Sequence, residues 1–344
     1  MILIILIIAG LLAFGILSFG ISISEKGYTG PTSDHFDGKK FFNLNGNQGN
    51  GFWNVLKWSV TRKKGAWKAD YKDYASPDKV QDVPGNEAKI HFINHSTFLI
   101  QMDGINILTD PVWSLRASPL SWAGPKRLRR PGLHLDSLPT IDLVLLTHNH
   151  YDHLDTDAIK AIDERYGPQY IVPLGVDKIL GRLGITNVQQ LDWHQQVPFG
   201  KLKITATPAI HFSGRGMLDR NNTLWCGFMI NGGKNLYIVG DTAYDAKLFK
   251  DIGSAYPKID LAIIPIGAYK PKWFMSPIHT DPEEAARIHQ DTGSKKSIAC
   301  HFGTFQLADE GLVDVFTDFD AALKMFSIPV GEFTLPKEGR YNII

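Results

Sequence analysis

The sequence predicts an α/β fold: two packed sheets flanked by helices, in one long unit behind an apolar N-terminal segment. Three observations predict it. From Ala88 onward, short runs rich in Ile, Val and Leu recur between Gly, Pro, Asn and Asp, as strands do. Helical stretches with recognisable start and stop residues fall between some of these runs. No linker and no repeat of fixed period interrupts them, so a single α/β domain over residues 88–344 accounts for the pattern. The chain has 344 residues, 44% of them hydrophobic and 21% charged, which excludes a disordered protein. Lys+Arg is 36 and Asp+Glu is 35, so a dedicated nucleic-acid binder, with its basic excess, is not expected. Cys226 and Cys300 are too few for a disulfide framework or a Cys-rich zinc finger.

Residues 1–24 carry no charge, and a helix of about 20 apolar residues spans a bilayer core. The segment is expected to be a single-pass membrane anchor. A signal sequence, cleaved or retained, is the rival; it would want a basic start and a shorter apolar run. The flanking charges, Lys26, Lys39 and Lys40 against Glu25, Asp34 and Asp37, leave the membrane side open. Residues 25–87 are rich in Gly, Asn, Lys and aromatics. Phe41, Phe42, Phe52, Trp53, Trp58 and Trp67 are expected to pack this arm on the core. The expected strands are KIHFINHSTFLIQM, INILTD, IDLVLLTH, YIVPL, LKITATPAIH, LWCGFMI, NLYIVGD, LAIIPIG and SIACHF. A helix is expected over Asp155–Arg165, with acidic residues at its start and Gly167 past its end. Another runs from Pro282 to Gln290, capped by Asp281.

The chemistry converges on Thr147-His148-Asn149-His150-Tyr151-Asp152-His153, between a strand and a helix. Three imidazoles and a carboxylate are costly in a core unless each is partnered. They suit zinc, which takes His nitrogen and Asp oxygen at about 2.0–2.2 Å. The same arrangement recurs. LKITATPAI runs into His211, NLYIVG into Asp241 and KKSIAC into His301, so four apolar strands each end on a residue that can bind a metal. A lone His at a strand end is more often structural; four such ends together, one of them a His-x-His-x-Asp-His cluster, point to one metal site.

These residues resemble the metallo-β-lactamase superfamily. The strings GPTSDHFDGKKFFN, NHSTFLIQMDGINILTDPVWS, GPKRLRRPG, THNHYDHLD, SGRGMLDRNNTLW, GDTAY, HTDPEEA and HFGTF are similar, within it, to the N-acylphosphatidylethanolamine-hydrolysing phospholipase D family and its bacterial relatives. The resemblance implies a four-layer αβ/βα sandwich with two zinc ions at one edge of the sheets. It implies His148, His150 and His211 on one zinc, Asp152, His153 and His301 on the other, and Asp241 bridging both. Asp110 is either a simple Asp-Pro turn or a carboxylate that pins the cluster loop. The resemblance also implies phosphodiester hydrolysis by a zinc-held hydroxide. Asp152 would orient that hydroxide or take its proton, and His279 would bind the phosphate or protonate the leaving oxygen; a capping or packing role is the plain alternative for His279.

The expected substrate is N-acylphosphatidylethanolamine or a related phospholipid in a membrane, split into N-acylethanolamine and phosphatidic acid. The basic run Lys126, Arg127, Arg129, Arg130, with Trp113 and Trp122 upstream, is either a solvated loop or a surface for anionic headgroups, with Arg127 and Arg129 as substrate contacts. The alternatives are a lactonase or other ester hydrolase on the same fold, or a non-enzymatic membrane-anchored scaffold. Retention of all seven ligand types argues against the scaffold.

Overall fold

The computed structural model describes residues 14–15, 17–47, 49–68, 80 and 87–344. The first sheet contains β1 (Lys89–Asn94), β2 (Thr97–Met102), β3 (Ile105–Thr109), β4 (Leu143–Leu145), β5 (Gln169–Pro173), β6 (Val188–Leu191) and the C-terminal β14 (Tyr341–Ile343), in the order β14-β1-β2-β3-β4-β5-β6. The second contains β7 (Gln196–Phe199), β8 (Leu202–Thr207), β9 (Gly227–Asn231), β10 (Asn235–Ile238), β11 (Leu261–Pro265), β12 (Ser297–Cys300) and β13 (Phe333–Thr334), in the order β13-β12-β11-β10-β9-β8-β7. Each sheet is half antiparallel and half parallel. In the first, β14 to β3 pair antiparallel and β3 to β6 parallel. In the second, β7 to β10 pair antiparallel and β10 to β13 parallel.

Strand alternation builds the layers. Leu143 and Leu145 of β4 face one core, with Ile90, Phe98 and Ile107, against Ile204, Phe228 and Ile263 of the second sheet. Val144 and Leu146 face the other way, onto Ile159 and Ile162 of α2 (Thr156–Tyr166) and Ile179 and Leu180 of α3 (Asp177–Arg182). A strand covered on both faces reads as a continuous apolar run, and IDLVLLTH does. On the second sheet lie α4 (Ala246–Ala255), α6 (Pro282–Asp291) and α7 (Leu312–Met325), contributing Phe249, Ala285, Ile288 and Phe319 to its core; the short α5 (Lys272–Met275) falls between α4 and α6 in the chain. Two mixed sheets with flanking helices are thus observed, as expected.

The capped helices begin where their residues predict. Asp155 accepts the Asp157 and Ala158 N–H groups, and Gly167 ends α2 in the left-handed conformation. Asp281 and Glu284 form a reciprocal capping box around Pro282. The run KIHFINHSTFLIQM is not one strand: it folds back at His95-Ser96 into the hairpin β1–β2, with His95 at φ 46°.

The N-terminal arm differs from expectation in part. Phe36 and Phe41 are buried in the core, but Phe52 and Trp53 of α1 (Phe52–Thr61) are 71% and 76% exposed, because Trp58 alone of that helix turns inward, stacking on Phe274. The expected anchor lies largely outside the described residues. Among those described, no helix is long and apolar enough to cross a membrane. The end of the segment is docked on the domain: Gly20 O accepts Met217 N at 3.0 Å, and Ser24 Oγ accepts Leu218 N at 3.0 Å.

Candidate metal centre

All four strand ends meet at one edge. His148 follows β4, His211 follows β8, Asp241 follows β10 and His301 follows β12. β8, β10 and β12 run in the same direction in the second sheet and β4 lies in the first, so residues far apart in sequence converge where the strand ends of the two sheets meet. The close approach needs unusual backbone. Gly240 has φ 71°, and a Cβ there would meet Cys226 O at 2.7 Å; Asp110 and His301 adopt positive φ themselves.

Two groups of donor atoms result. In one, His148 Nε2 and His150 Nδ1 are 2.8 Å apart, and His211 Nε2 is 3.3 Å from His150 Nδ1. In the other, His301 Nε2 and His153 Nε2 lie 2.9 and 3.3 Å from Asp241 Oδ2, and 3.4 and 3.6 Å from Asp152 Oδ2. Asp241 Oδ2 also lies 3.8 Å from His211 Nε2, so it stands between the groups. His148, His150 and His211 keep their ligand atoms within 4.8 Å of one another, and so do Asp152, His153 and His301 together with His95; Asp241 forms such groups with His148 and His153 and with His211 and His279. His153 Nε2, His301 Nε2 and Asp241 Oδ1 are buried with no hydrogen-bond partner. Orphaned donors of this kind, all N or O and aimed at shared points, fit a cation. Burial and mutual repulsion hold His148 and His211 well below the ordinary imidazole pKa, and burial takes His150 down to about 4, so these three present lone pairs. For His153, burial opposes protonation, but Asp241, Asp152 and Asp110 outweigh it and raise the pKa. A bound cation would take the place of that proton.

The ligand-type residues are themselves held. Asp110 accepts from Thr147 N at 2.8 Å, from Thr147 Oγ1 at 2.7 Å and from His153 Nδ1 at 2.8 Å. That fixes the His153 tautomer with Nε2 inward. Asp110 is therefore the pin of the cluster loop. His211 Nδ1 donates to Ile278 O at 2.7 Å, and Asn43 of the arm holds the His211 backbone on both sides. Arg215 Nη1 donates to Asn149 O and Leu154 O, both at 2.8 Å, clamping the loop from outside.

His279 joins the site at its more open side. Its Nδ1 is 3.8 Å from Asp241 Oδ2, its ring is 5.0 Å from His211, and burial pushes its pKa down to about 4. Two residues went unread in the sequence. His95, at the hairpin tip, has Nε2 3.0 Å from Asp152 Oδ2. A carboxylate only accepts, so His95 donates, and burial takes its pKa down to about 3. The signal was present as Asn-His-Ser breaking an apolar run. Arg220 stacks over Phe212 at 4.2 Å, and Phe212 packs on His150 at 4.4 Å, placing a guanidinium beside the centre.

The basic loop departs from expectation at Arg127 and Arg129, whereas Lys126 and Arg130 are exposed. Arg127 is buried, donating to Ser114 O and Val112 O, and Arg129 pairs with buried Glu338 at 3.0 Å. Arg127 serves loop structure, because the carbonyls of Val112 and Ser114 turn inward and need donors, and Arg129 is engaged by the Glu338 carboxylate. Trp113 is tied to Leu133 O at 3.0 Å, and only Trp122 is broadly exposed.

The fold and the centre are those of a metal-dependent hydrolase. The chain belongs to the beta-lactamase superfamily: the family described as "Beta-lactamase superfamily domain" matches residues 105–302. It is 40% identical over 228 residues to the N-acyl-phosphatidylethanolamine-hydrolyzing phospholipase D 1 of Caenorhabditis elegans, covering 63% of this chain and 64% of that one. The chain thus spans slightly under two thirds of the nematode protein. An uncharacterized protein of Mycobacterium tuberculosis is 42% identical over 261 residues, 74% of this chain and 69% of that one. Among solved structures, a possible metal-dependent hydrolase from Veillonella parvula superposes with TM-score 0.60 at 19% identity, over 74% of this chain and 98% of that one.

Proposed function

We propose that the protein is a zinc-dependent phosphodiesterase of phospholipase D type, hydrolysing N-acylphosphatidylethanolamine or a related phospholipid. The observation that carries this is the seven-residue cluster with its orphaned donors, in a chain similar to the nematode enzyme. His148, His150 and His211 would hold one zinc, Asp152, His153 and His301 the other, and Asp241 both. Bound there, the two ions supply Lewis acidity, lowering the pKa of a water and offsetting charge on the phosphoryl oxygens.

The chain's own residues do the rest. Asp152 orients the attacking water and accepts its proton at a carboxylate oxygen. Arg220, on the Phe212 face, meets the phosphodiester's negative charge. His279 binds the phosphoryl oxygen through a ring N–H and passes a proton to the leaving oxygen. The substrate's anionic charge favours its protonated form against the burial that lowers its pKa. Water adds to phosphorus, the P–O bond to the ethanolamide breaks, and phosphatidic acid and N-acylethanolamine leave. The apolar segment 1–24 we read as a lipid anchor for the stretch preceding its docked end.

Protein purified without chelator is expected to hold close to two equivalents of zinc. It is also expected to release N-acylethanolamine from N-acylphosphatidylethanolamine, in a panel with phosphatidylcholine, a lactone and RNA. Turnover of the lactone alone would favour the ester hydrolase. A metal-loaded protein inert on the whole panel would favour the scaffold.

Two variants probe the parts. Arg220→Gln is expected to raise KM for the anionic diester about 10–100-fold, the worth of a charged hydrogen bond, and to spare any slow turnover of a neutral ester. Equal effects on both would remove its role. His95→Asn keeps a residue tolerant of positive φ but withdraws the imidazole from Asp152. It is expected to cost roughly 10–100-fold in metal affinity, read by chelator competition, with little change in melting temperature. An unchanged chelator titration would count against it.

A further inference from the structure

His35 is the one histidine of the arm, and it is bridged on both sides. The residue is buried, with Nδ1 2.6 Å from Asp34 Oδ1 and Nε2 2.7 Å from Asp192 Oδ1. A carboxylate oxygen only accepts, and a neutral imidazole has one N–H to give. Two such bonds at once require the imidazolium, with a charge-assisted hydrogen bond at each end. Asp192 also accepts Trp193 N at 2.8 Å, which fixes its carboxylate in the turn between β6 and β7, where the chain crosses from the first sheet to the second. The His35 ring stacks on Trp193 at 4.3 Å and lies 6.1 Å from the ring of Phe41, neither of them charged. Ser33 Oγ stands 3.4 Å from Nδ1. Lys40 is turned to the carbonyls of Leu218 and Arg220, and His194, in the same turn as Asp192, is exposed. Asp34 and Asp192 are the charges that face the imidazole.

The stretch that this bridge holds leads to the metal centre. His35 O accepts Phe42 N at 2.9 Å. The next residue, Asn43, is buried against His211: its Nδ2 donates to His211 O at 2.9 Å, and its Oδ1 accepts His211 N at 3.1 Å. From the β6–β7 turn to His211 the path is one side-chain bridge, one backbone bond and one amide. Phe36 and Phe41 bury this stretch in the core, and neither titrates. The bridge therefore tunes how the stretch is seated and does not decide whether it folds.

We propose that His35 is a positioning residue for the metal centre: as an imidazolium between Asp34 and Asp192 it seats Asn43 on His211, and loss of its proton loosens that seat. Deprotonation turns a ring lone pair towards one of the carboxylates, so one of the two bonds becomes a repulsion. Burial opposes the charge on His35, but the two carboxylates outweigh it, and the pKa lies above the ordinary imidazole value. The bridge is complete below about 6.5 and fades as pH rises through the folded value. His211 is therefore gripped more firmly on the acid side of that value than on the alkaline side. The latch goes beyond the phosphodiesterase reading and needs no substrate for its test.

The full chain, purified without chelator, is labelled with carbon-13 at histidine Cε1, and His35→Gln assigns the His35 resonance among the twelve. Its titration midpoint is expected above about 6.5. Asp192→Asn keeps an oxygen to accept Trp193 N and removes the charge, and is expected to lower that midpoint by about one unit or more. A wild-type midpoint at or below about 6.5 overturns the proposal. Hydrogen exchange of segments 33–47 and 208–212, taken as protection factors so that the chemical pH dependence cancels, is the second readout. Both segments are expected to lose about tenfold in protection as pH rises through the His35 midpoint, the range of one charged hydrogen bond. In Asn43→Ala the arm should keep that step and segment 208–212 should lose it, because the link is cut. A wild-type step in the arm alone overturns the action on His211, and flat protection in both segments overturns the latch. Zinc release into excess chelator should quicken across the same midpoint, whereas release driven by protonation of ligands quickens towards acid. A release rate that rises towards acid alone also overturns the proposal. The wild-type curves carry these outcomes if a variant fails to fold.

Discussion

Asp241→Asn is expected to lose activity by more than the roughly 10–100-fold that changes one shell beyond a metal cost, and to hold fewer than two zinc ions. The reason is position. Asp241 Oδ2 lies within 4 Å of His153, His211, His279 and His301, so its charge faces both donor groups at once. An amide keeps the shape and removes that charge. Asp110→Asn is the comparison. Its carboxylate accepts from Thr147 N, Thr147 Oγ1 and His153 Nδ1, all of them able to donate, and an amide nitrogen must oppose one of them. That variant is expected to stay within the 10–100-fold range, keep metal and melt lower. Matched kinetics and elemental analysis check the pair. Full metal and full activity in Asp241→Asn would refute its bridging role.

His279→Ala is expected to keep both metals and the fold and to lose roughly 10²–10⁴-fold in kcat, the range for a general acid or base. The loss should shrink for a nitrophenyl phosphodiester, whose leaving group needs no proton. The side chain supports this separation, because His279 Nδ1 has no hydrogen-bond partner, and its backbone N–H, bonded to Met275 O at 2.9 Å, survives the substitution. Zinc content falling with activity would make His279 a ligand, an arrangement that its place near His211 and Asp241 permits. A lowered melting temperature with kcat intact on the lipid would make it a packing residue.

Much of the centre was legible because ligands at strand ends leave a local trace. An apolar run of a few residues stops on a His or Asp, and strands that run in the same direction bring such stops to one edge. His148, His211, Asp241 and His301 were found this way, and the cluster His148–His153 by its composition. The helices α2 and α6 were legible for the same reason: Asp155, Gly167, Asp281 and Pro282 act on backbone groups within a turn of themselves.

His95 escaped because its part is played through a partner 57 positions away, Asp152, and a hairpin tip has no periodicity to read. Arg127 and Arg129 read as part of either a solvated loop or a surface for anions. A run of cations has the same composition whether its guanidiniums face solvent or, as here, the carbonyls of Val112 and Ser114 and the carboxylate of Glu338. In α1 the same limit acted in reverse, since aromatic content suggested burial and packing left the ring faces outside.

The sequence by itself determined the two-sheet class, the capped helices and the identity of the seven ligand-type residues. Each of these depends on the order of neighbours along the chain. Only the tertiary structure decided which nitrogen of each imidazole faces inward, that Asp110 pins the cluster loop and which charges are spent on loop carbonyls. Those outcomes depend on distances of about 3 Å between segments tens to hundreds of residues apart, where hydrogen bonds and ion pairs are made or lost. No local pattern encodes them; the two sheets that carry β4 and β8, β10 and β12 do, by bringing these strand ends together.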